Sequence, residues 1–379
     1  MSGTIPKAGL RKVKLPDAWR AALPSRHDWL IWAIAVAIAA VGGYAASVIG
    51  TPLPWLLGAM VATATAMALG LRIGGRPIAF PQTPRMAFIA IIGIAIGGTA
   101  TPDMVNQVVD WWPSLLAVGV FVLTAQVLNY QIFRRLAGYD RPTAYYCATP
   151  GGLIESVQLG EEAGGDVILL TMQHFARITI TVTLVPLIYW VMRGEAVGSA
   201  AGVSMDTGAA VGVLDVLILG ACAILGGWGG RRIGFPAAII TGPIILSAIA
   251  HGAGLTQAQP PDWMIAVAQL VIGLGLATRF GGMTRGHLTQ GLAFGMLTVT
   301  TMLALGAGVA AALDAAGDHS FEILLMCYAP GGVVEMGLIA LSLGVSPVMV
   351  TLHHIVRIGF TVIAVPLIGR RILGPPASE

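Results

Sequence analysis

Residues Cys147 to Arg177 read CATPGGLIESVQLGEEAGGDVILLTMQHFAR, and Cys327 to Arg357 read CYAPGGVVEMGLIALSLGVSPVMVTLHHIVR. Cys147, Pro150, Gly151, Gly152, Glu155, Thr171, His174, Arg177 and Pro186 recur as Cys327, Pro330, Gly331, Gly332, Glu335, Thr351, His354, Arg357 and Pro366, at a constant offset of 180. Chance matches in an apolar chain fall mostly on Ala, Val and Leu. These fall on residue types that such a chain places least easily, so the chain carries an internal duplication.

The rest of the chain sets the medium. Of 379 residues, 56% are hydrophobic and only 10% are charged, and the mean hydropathy is +0.82; a soluble domain has about a quarter charged residues. Apolar runs of roughly 18 to 22 residues, each sufficient to cross a bilayer core, occupy nearly everything after residue 28. The composition predicts an integral membrane protein with no room for a soluble domain. Lys7, Arg11, Lys12, Lys14, Arg20 and Arg26 against Asp17 make the first stretch a basic tail rather than a cleaved leader. Its plain role is to hold the first helix's orientation, with lipid or nucleic-acid contact the lesser option. Three cysteines without CxxC spacing give no disulfide framework.

Taken in order, the expected helices are Trp29 to Ile49, Leu53 to Leu71, Met86 to Thr99, Trp111 to Phe133 and Val167 to Met192, with the interrupted stretch Thr143 to Gly160 before the last. The second series is Val213 to Trp228, Pro236 to Ala253, Trp263 to Leu276, Leu288 to Leu313 and Pro347 to Ile368. Gly42-Gly43-Tyr44 and Ile49-Gly50-Thr51-Pro52 return as Gly226-Gly227-Trp228 and Ile233-Gly234-Phe235-Pro236. The pair Trp111-Trp112 suits a membrane interface.

Loop charge decides how the halves are oriented. The first half is basic at Arg72, Arg76 and Arg85 and at Arg134, Arg135 and Arg141; the second is basic at Arg231-Arg232, Arg279, Arg285 and Arg370-Arg371, in the loops where the other half is neutral. With Lys and Arg retained on the cytoplasmic side, the halves have opposite membrane orientation, which requires an odd number of crossings in each. Five per half, with both termini cytoplasmic and the Pro-Gly-Gly stretch broken or re-entrant, leaves Arg193 as the one loop cation outside. Twelve crossings give a poorer separation. The expected fold is therefore an all-α polytopic membrane protein of two inverted repeats of about five transmembrane helices. The divisions are a cytosolic tail 1–27, repeats 28–193 and 212–373, a linker 194–211 and a short tail 374–379.

Pro150-Gly151-Gly152 and Pro330-Gly331-Gly332 remove an N–H and add two flexible residues inside apolar segments. Backbone freed at that depth survives only inside protein or beside water, and paired interruptions in two inverted halves point to a solute site. The plain alternative is a kink for close packing. Glu155 and Glu335 follow each break and are the candidate proton carriers or cation ligands; alternatively they neutralise Arg177 and Arg357. His174 with Arg177, and His354 with Arg357, share a helix face at i, i+3. These arginines suit an anion held bidentately, or else hydrogen-bond the carbonyls released by the breaks. His353 has Gln173 as its counterpart. Glu-x-x-His carboxylate-bundle spacing, HExxH, Walker A and GxSxG patterns are all missing, so no catalytic residue, metal site or cofactor is assigned.

At the duplicated P-G-G-x-x-E with downstream H-x-x-R, and at G-G-[YW] followed by I-G-x-P, the chain resembles the bacterial AbrB duplication membrane protein family over roughly residues 29 to 371. Members are often labelled AbrB-family transcriptional regulators or ammonia monooxygenases. The resemblance implies a membrane protein with a repeat and brings no catalytic residues with it. The small soluble DNA-binding fold that shares the name has no place here. The five-plus-five layout also looks like that of bile-acid symporters, a likeness of architecture alone.

The expectation is a bacterial inner-membrane secondary carrier of a small anionic or polar solute. Glu155 and Glu335 would couple it to protons or another cation. Arg177, Arg357, His174, His354 and the Gly151, Gly152, Gly331 and Gly332 backbone would contact solute. Its partners are the lipid bilayer and the solute, homo-oligomerisation is left open, and no direct nucleic-acid binding is expected. The alternatives are a membrane-embedded regulator of gene expression acting through a partner and, less favoured, a membrane oxygenase.

Overall fold

The computed structural model describes residues 24–100, 107–194, 211–281, 284–317 and 319–373. Most of the predicted tail, the linker positions 195–210 and the end 374–379 lie outside the described residues.

The first series begins with α1 (Arg26–Ile49), capped by Ser25 and Asp28 in a reciprocal box and ended by left-handed Gly50. Next comes α2 (Pro54–Ala68), a two-stranded hairpin Arg72–Ile73 with Arg76–Pro77, α3 (Gln82–Gly97), and α4 (Trp112–Gln131), which runs into a π turn at Ile132–Leu136. The series closes with α5 (Arg141–Cys147), α6 (Leu153–Glu162) and α7 (Val167–Arg193). The second contains α8 (Val213–Ile233), α9 (Ala238–Gly252), α10 (Asp262–Ala277), α11 (Arg285–Ala315), α12 (Phe321–Tyr328), α13 (Val333–Leu343) and α14 (Pro347–Leu373). The same order of long and short helices is thus run through twice.

Backbone detail repeats as well. Leu53 and Ala237, the residues capping α2 and α9, are, among the described residues, the two non-glycine residues with positive φ, at 46° and 50°. Such a conformation costs an L-residue roughly 1–2 kcal/mol. Each follows a left-handed glycine, Gly50 or Gly234, by three residues and precedes a tight helix crossing. A Cβ on Gly58 would stand 2.3 Å from the Gly42 carbonyl oxygen, and one on Gly242 would stand 1.9 Å from that of Gly226. Glycine at these four places lets α1 meet α2, and α8 meet α9, backbone to backbone, the packing that replaces a hydrophobic drive in lipid.

The halves are joined by exchange. A Cβ on Gly93 of α3 would meet the Ile240 carbonyl of α9 at 2.8 Å, and one on Gly273 of α10 would meet the Leu56 carbonyl of α2 at 2.3 Å. Arg85, in the first turn of α3, packs its Cδ on Gly275 near the end of α10. Around this crossing Leu56, Ile92, Phe121, Ile272, Leu325 and Val350 form one buried cluster drawn from both halves.

Several expectations change. Among the described residues, seven helices are long and apolar enough to cross a membrane. The runs Leu53 to Leu71, Met86 to Thr99 and Pro236 to Ala253 become helices of 15, 16 and 15 residues. At 1.5 Å per residue these span about 22–24 Å, short of a core of about 30 Å. Their ends are cut by turns at Leu53, Pro81 and Ala237 and by Gly70 and Gly254, which hydropathy does not register. Arg85, expected in a loop, lies inside α3. Trp111 turns inward at 2% exposure while Trp112 faces outward, because consecutive helical residues point about 100° apart.

Candidate functional site

The chain leaves helix twice at equivalent places. After Cys147 it runs irregularly through 148–152 and re-enters helix at Leu153, with Gly152 left-handed at φ 63°. After Tyr328 it is non-helical through 329–332, and Gly332 is extended at φ −81°, ψ 156°. Both breaks are buried, so the carbonyls that end α5 and α12 need donors from the protein.

The long helices α7 and α14 supply them. Arg177 Nη1 donates to the Thr149 carbonyl, and His174 Nε2 lies 3.0 Å from the Tyr146 carbonyl. A carbonyl only accepts, so that nitrogen carries the proton. In the second half Arg357 donates through Nη1 to the Ala329 carbonyl and through Nη2 to that of Gly331. His354 sits between the carbonyls of Val350 at 2.8 Å and Ala329 at 3.2 Å. In the first half the Gly151 carbonyl takes the Ser156 hydroxyl instead, at 3.2 Å; Met336 stands where Ser156 would recur, and Arg357 covers both carbonyls.

Both guanidiniums are buried, Arg177 to 5% exposure and Arg357 to 1%. Among the described residues neither forms an ion pair, and the Nε of each is buried without a partner. Thr181 and Thr361 donate to the carbonyls of Arg177 and Arg357 from one turn further on, at 2.8 and 2.7 Å.

The carboxylates are not equivalent. Glu155 and Glu335 each stand in the first turn of the helix that follows the break, where a negative charge balances the exposed N–H groups. Neither neutralises the arginine of its own half. Glu335, 4% exposed, pairs with Arg85 of α3 at 3.3 Å, whereas Glu155 is half-buried and has no ion-pair partner among the described residues.

A cavity of about 580 Å³ opens between the end of α2 and the end of α10. Its walls are apolar, including Met67, Leu71, Phe280 and Leu292, with Arg72 at the rim and Thr179 of α7 at its side. Cys147, Cys222 and Cys327 are reduced and buried. Among the described residues no group of three or more His, Cys, Asp or Glu side chains is arranged to hold a metal.

The structure therefore gathers Pro150, Gly151, Gly152, His174 and Arg177 about one break, and Pro330, Gly331, Gly332, His354 and Arg357 about the other. Arg85 escaped the sequence reading because it occurs once, with Ile265 at the corresponding position. Thr181 and Thr361 were legible, since they recur at the offset of 180 within apolar helices.

Seven long apolar helices and the shorter ones packed among them place the chain in the class of all-α, multi-pass membrane proteins. It belongs to the family described as Transition state regulatory protein AbrB, whose model matches residues 64–373. It is similar to the "Putative regulator AbrB" of Escherichia coli (strain K12), 22% identical over 326 residues that cover 84% of this chain and 90% of that one. It is also similar to the "Uncharacterized protein YhjN" of Bacillus subtilis (strain 168), 20% identical over 352 residues, covering 87% and 90%.

Proposed function

We propose that the protein is a secondary carrier of a small anionic solute, built from two repeats of opposite membrane orientation, with Arg177 and Arg357 receiving the anion. The carrying observation is that both guanidiniums are buried and that neither, among the described residues, forms an ion pair. Burying a cation without a counter-ion is costly. An anion bound at these arginines removes that penalty. The carbonyl contacts hold each guanidinium in place and leave its Nε without a partner, so the arginines serve the breaks and the solute together. The backbone of Gly151, Gly152, Gly331 and Gly332 supplies the neighbouring polar groups, and His174 and His354 fix the carbonyl ends of α5 and α12. Glu155 and Glu335 provide the carboxylates for coupling to protons or another cation.

Opposite orientation is supported by the packing. The end of α2 and the end of α10 line one cavity, and Arg85 at the start of α3 lies against Gly275 near the end of α10; both fit a reading in which α3 and its sequence counterpart α10 run in opposite directions. With cytoplasmic Lys and Arg, this reading sets the protein in the bacterial inner membrane with both termini inside.

The test is the apparent melting temperature of the purified protein against inorganic anions and small mono- and dicarboxylates, since a ligand of the folded state raises it by mass action. The expected result is a concentration-dependent rise with at least one anion, lost in Arg177→Gln and in Arg357→Gln. A rise of equal size in both variants, or none with any anion, would overturn the assignment.

A further inference from the structure

The two breaks share their motif and differ in how they are held. Glu335 is held by one side chain: its Oε1 takes Nη2 of Arg85 at 3.3 Å, while its Oε2 lies so far back over Gly332 that a Cβ there would stand 2.1 Å from it. The partner comes from the other half, and both side chains are largely withdrawn from solvent, at 15% and 6% exposure. The contact joins opposite charges away from solvent, and removing one member strands a buried charge. At the first break nothing corresponds: Ile265 replaces the arginine, and a Cβ on Gly152 would stand 3.4 Å from the Glu155 carboxylate, an ordinary contact. The backbones differ accordingly, left-handed at Gly152 and extended at Gly332.

We propose that Arg85 is a positioning residue: through Glu335 it latches the first turn of α13 to α3 of the opposite half, holding the second break shut while the first has no such lock. Within a carrier this makes the two breaks unequal at any moment, so that one half yields before the other. That consequence rests on the carrier reading; the latch does not, and its test uses no solute.

The chain carries its own reporters. Cys147 ends α5 beside the first break and Cys327 lies in the last turn of α12 beside the second, at 5% and 1% exposure. Full-length protein in lipid nanodiscs is treated with N-ethylmaleimide, and modification at each cysteine is followed by peptide mass spectrometry. The latch predicts that Arg85→Gln and Glu335→Gln each speed labelling of Cys327 by about tenfold or more, as loss of a charge-assisted bond shifts a local opening equilibrium. Arg85→Lys keeps Cys327 protected, and Cys147 keeps its wild-type rate in all three. Unchanged labelling of Cys327 in both Gln variants would overturn the proposal. So would an equal acceleration at Cys147, which reports general loosening of the fold, or an Arg85→Lys variant as open as Arg85→Gln.

Discussion

Arg177 and Arg357 do two jobs that pull in opposite directions. As donors they satisfy backbone carbonyls freed by Pro150-Gly151-Gly152 and Pro330-Gly331-Gly332; as charges, in the proposed carrier, they wait for an anion. Substitution separates the two. Alanine removes the donors and the charge, leaving the Thr149 carbonyl without its arginine donor at residue 177 and the Gly331 carbonyl at residue 357, while the Ala329 carbonyl keeps His354. Each stranded group costs about 1–3 kcal/mol, so each Ala variant is expected to lower solute-free stability by about that amount. Glutamine keeps an N–H donor and removes the charge, so each Gln variant is expected to be more stable than its Ala counterpart. Denaturation of the four purified variants in one detergent checks this ranking; equal losses for Ala and Gln would mean that the carbonyl contacts carry no weight. The sequence showed these arginines through their recurrence and offered both roles, and only the carbonyl geometry shows that the structural role is filled. Arg85 stayed hidden because nothing in a single unrepeated arginine before an apolar run tells a loop cation from a buried one.

At the scale of helices, the duplication was legible wherever it used Gly, Pro, His, Glu or Arg, and illegible where ordinary residues do unusual things. Gly42 and Gly226 were visible as repeats; the left-handed turns at Leu53 and Ala237 were not, since neither residue type signals positive φ. Those turns shorten α2 and α9 and aim Gly58 and Gly242 at Gly42 and Gly226. The crossings are tight enough that a single methyl group matters. Gly58→Ala and Gly242→Ala are each expected to destabilise the protein by about 1–3 kcal/mol through overpacking. Gly227→Ala, which would meet no atom within 4 Å, should cost nothing. Thermal unfolding of the three variants decides it, and tolerance of alanine at Gly242 would contradict the close approach of α8 to α9.

At the scale of the whole molecule, the exchange of α2, α3, α9 and α10 between halves makes one body of two repeats, and each break meets both long helices: Arg177 and Thr361 at the first, Arg357 and Thr181 at the second. Polar, irregular backbone is thereby collected away from lipid, where the bilayer tolerates it, and two cations arrive with it. The words regulatory, in the family's description, and regulator, in the name of the Escherichia coli relative, belong to those names. A membrane regulator with this site would bind an anion without moving it, and a carrier moves it. The most direct measurement is therefore uptake into proteoliposomes of the anion giving the largest thermal shift, with radiolabelled anion outside and unlabelled anion trapped inside. The account predicts saturable accumulation with the wild-type protein and none with Arg357→Gln reconstituted to the same density. Binding of that anion without any accumulation, or equal accumulation in the variant, would contradict it.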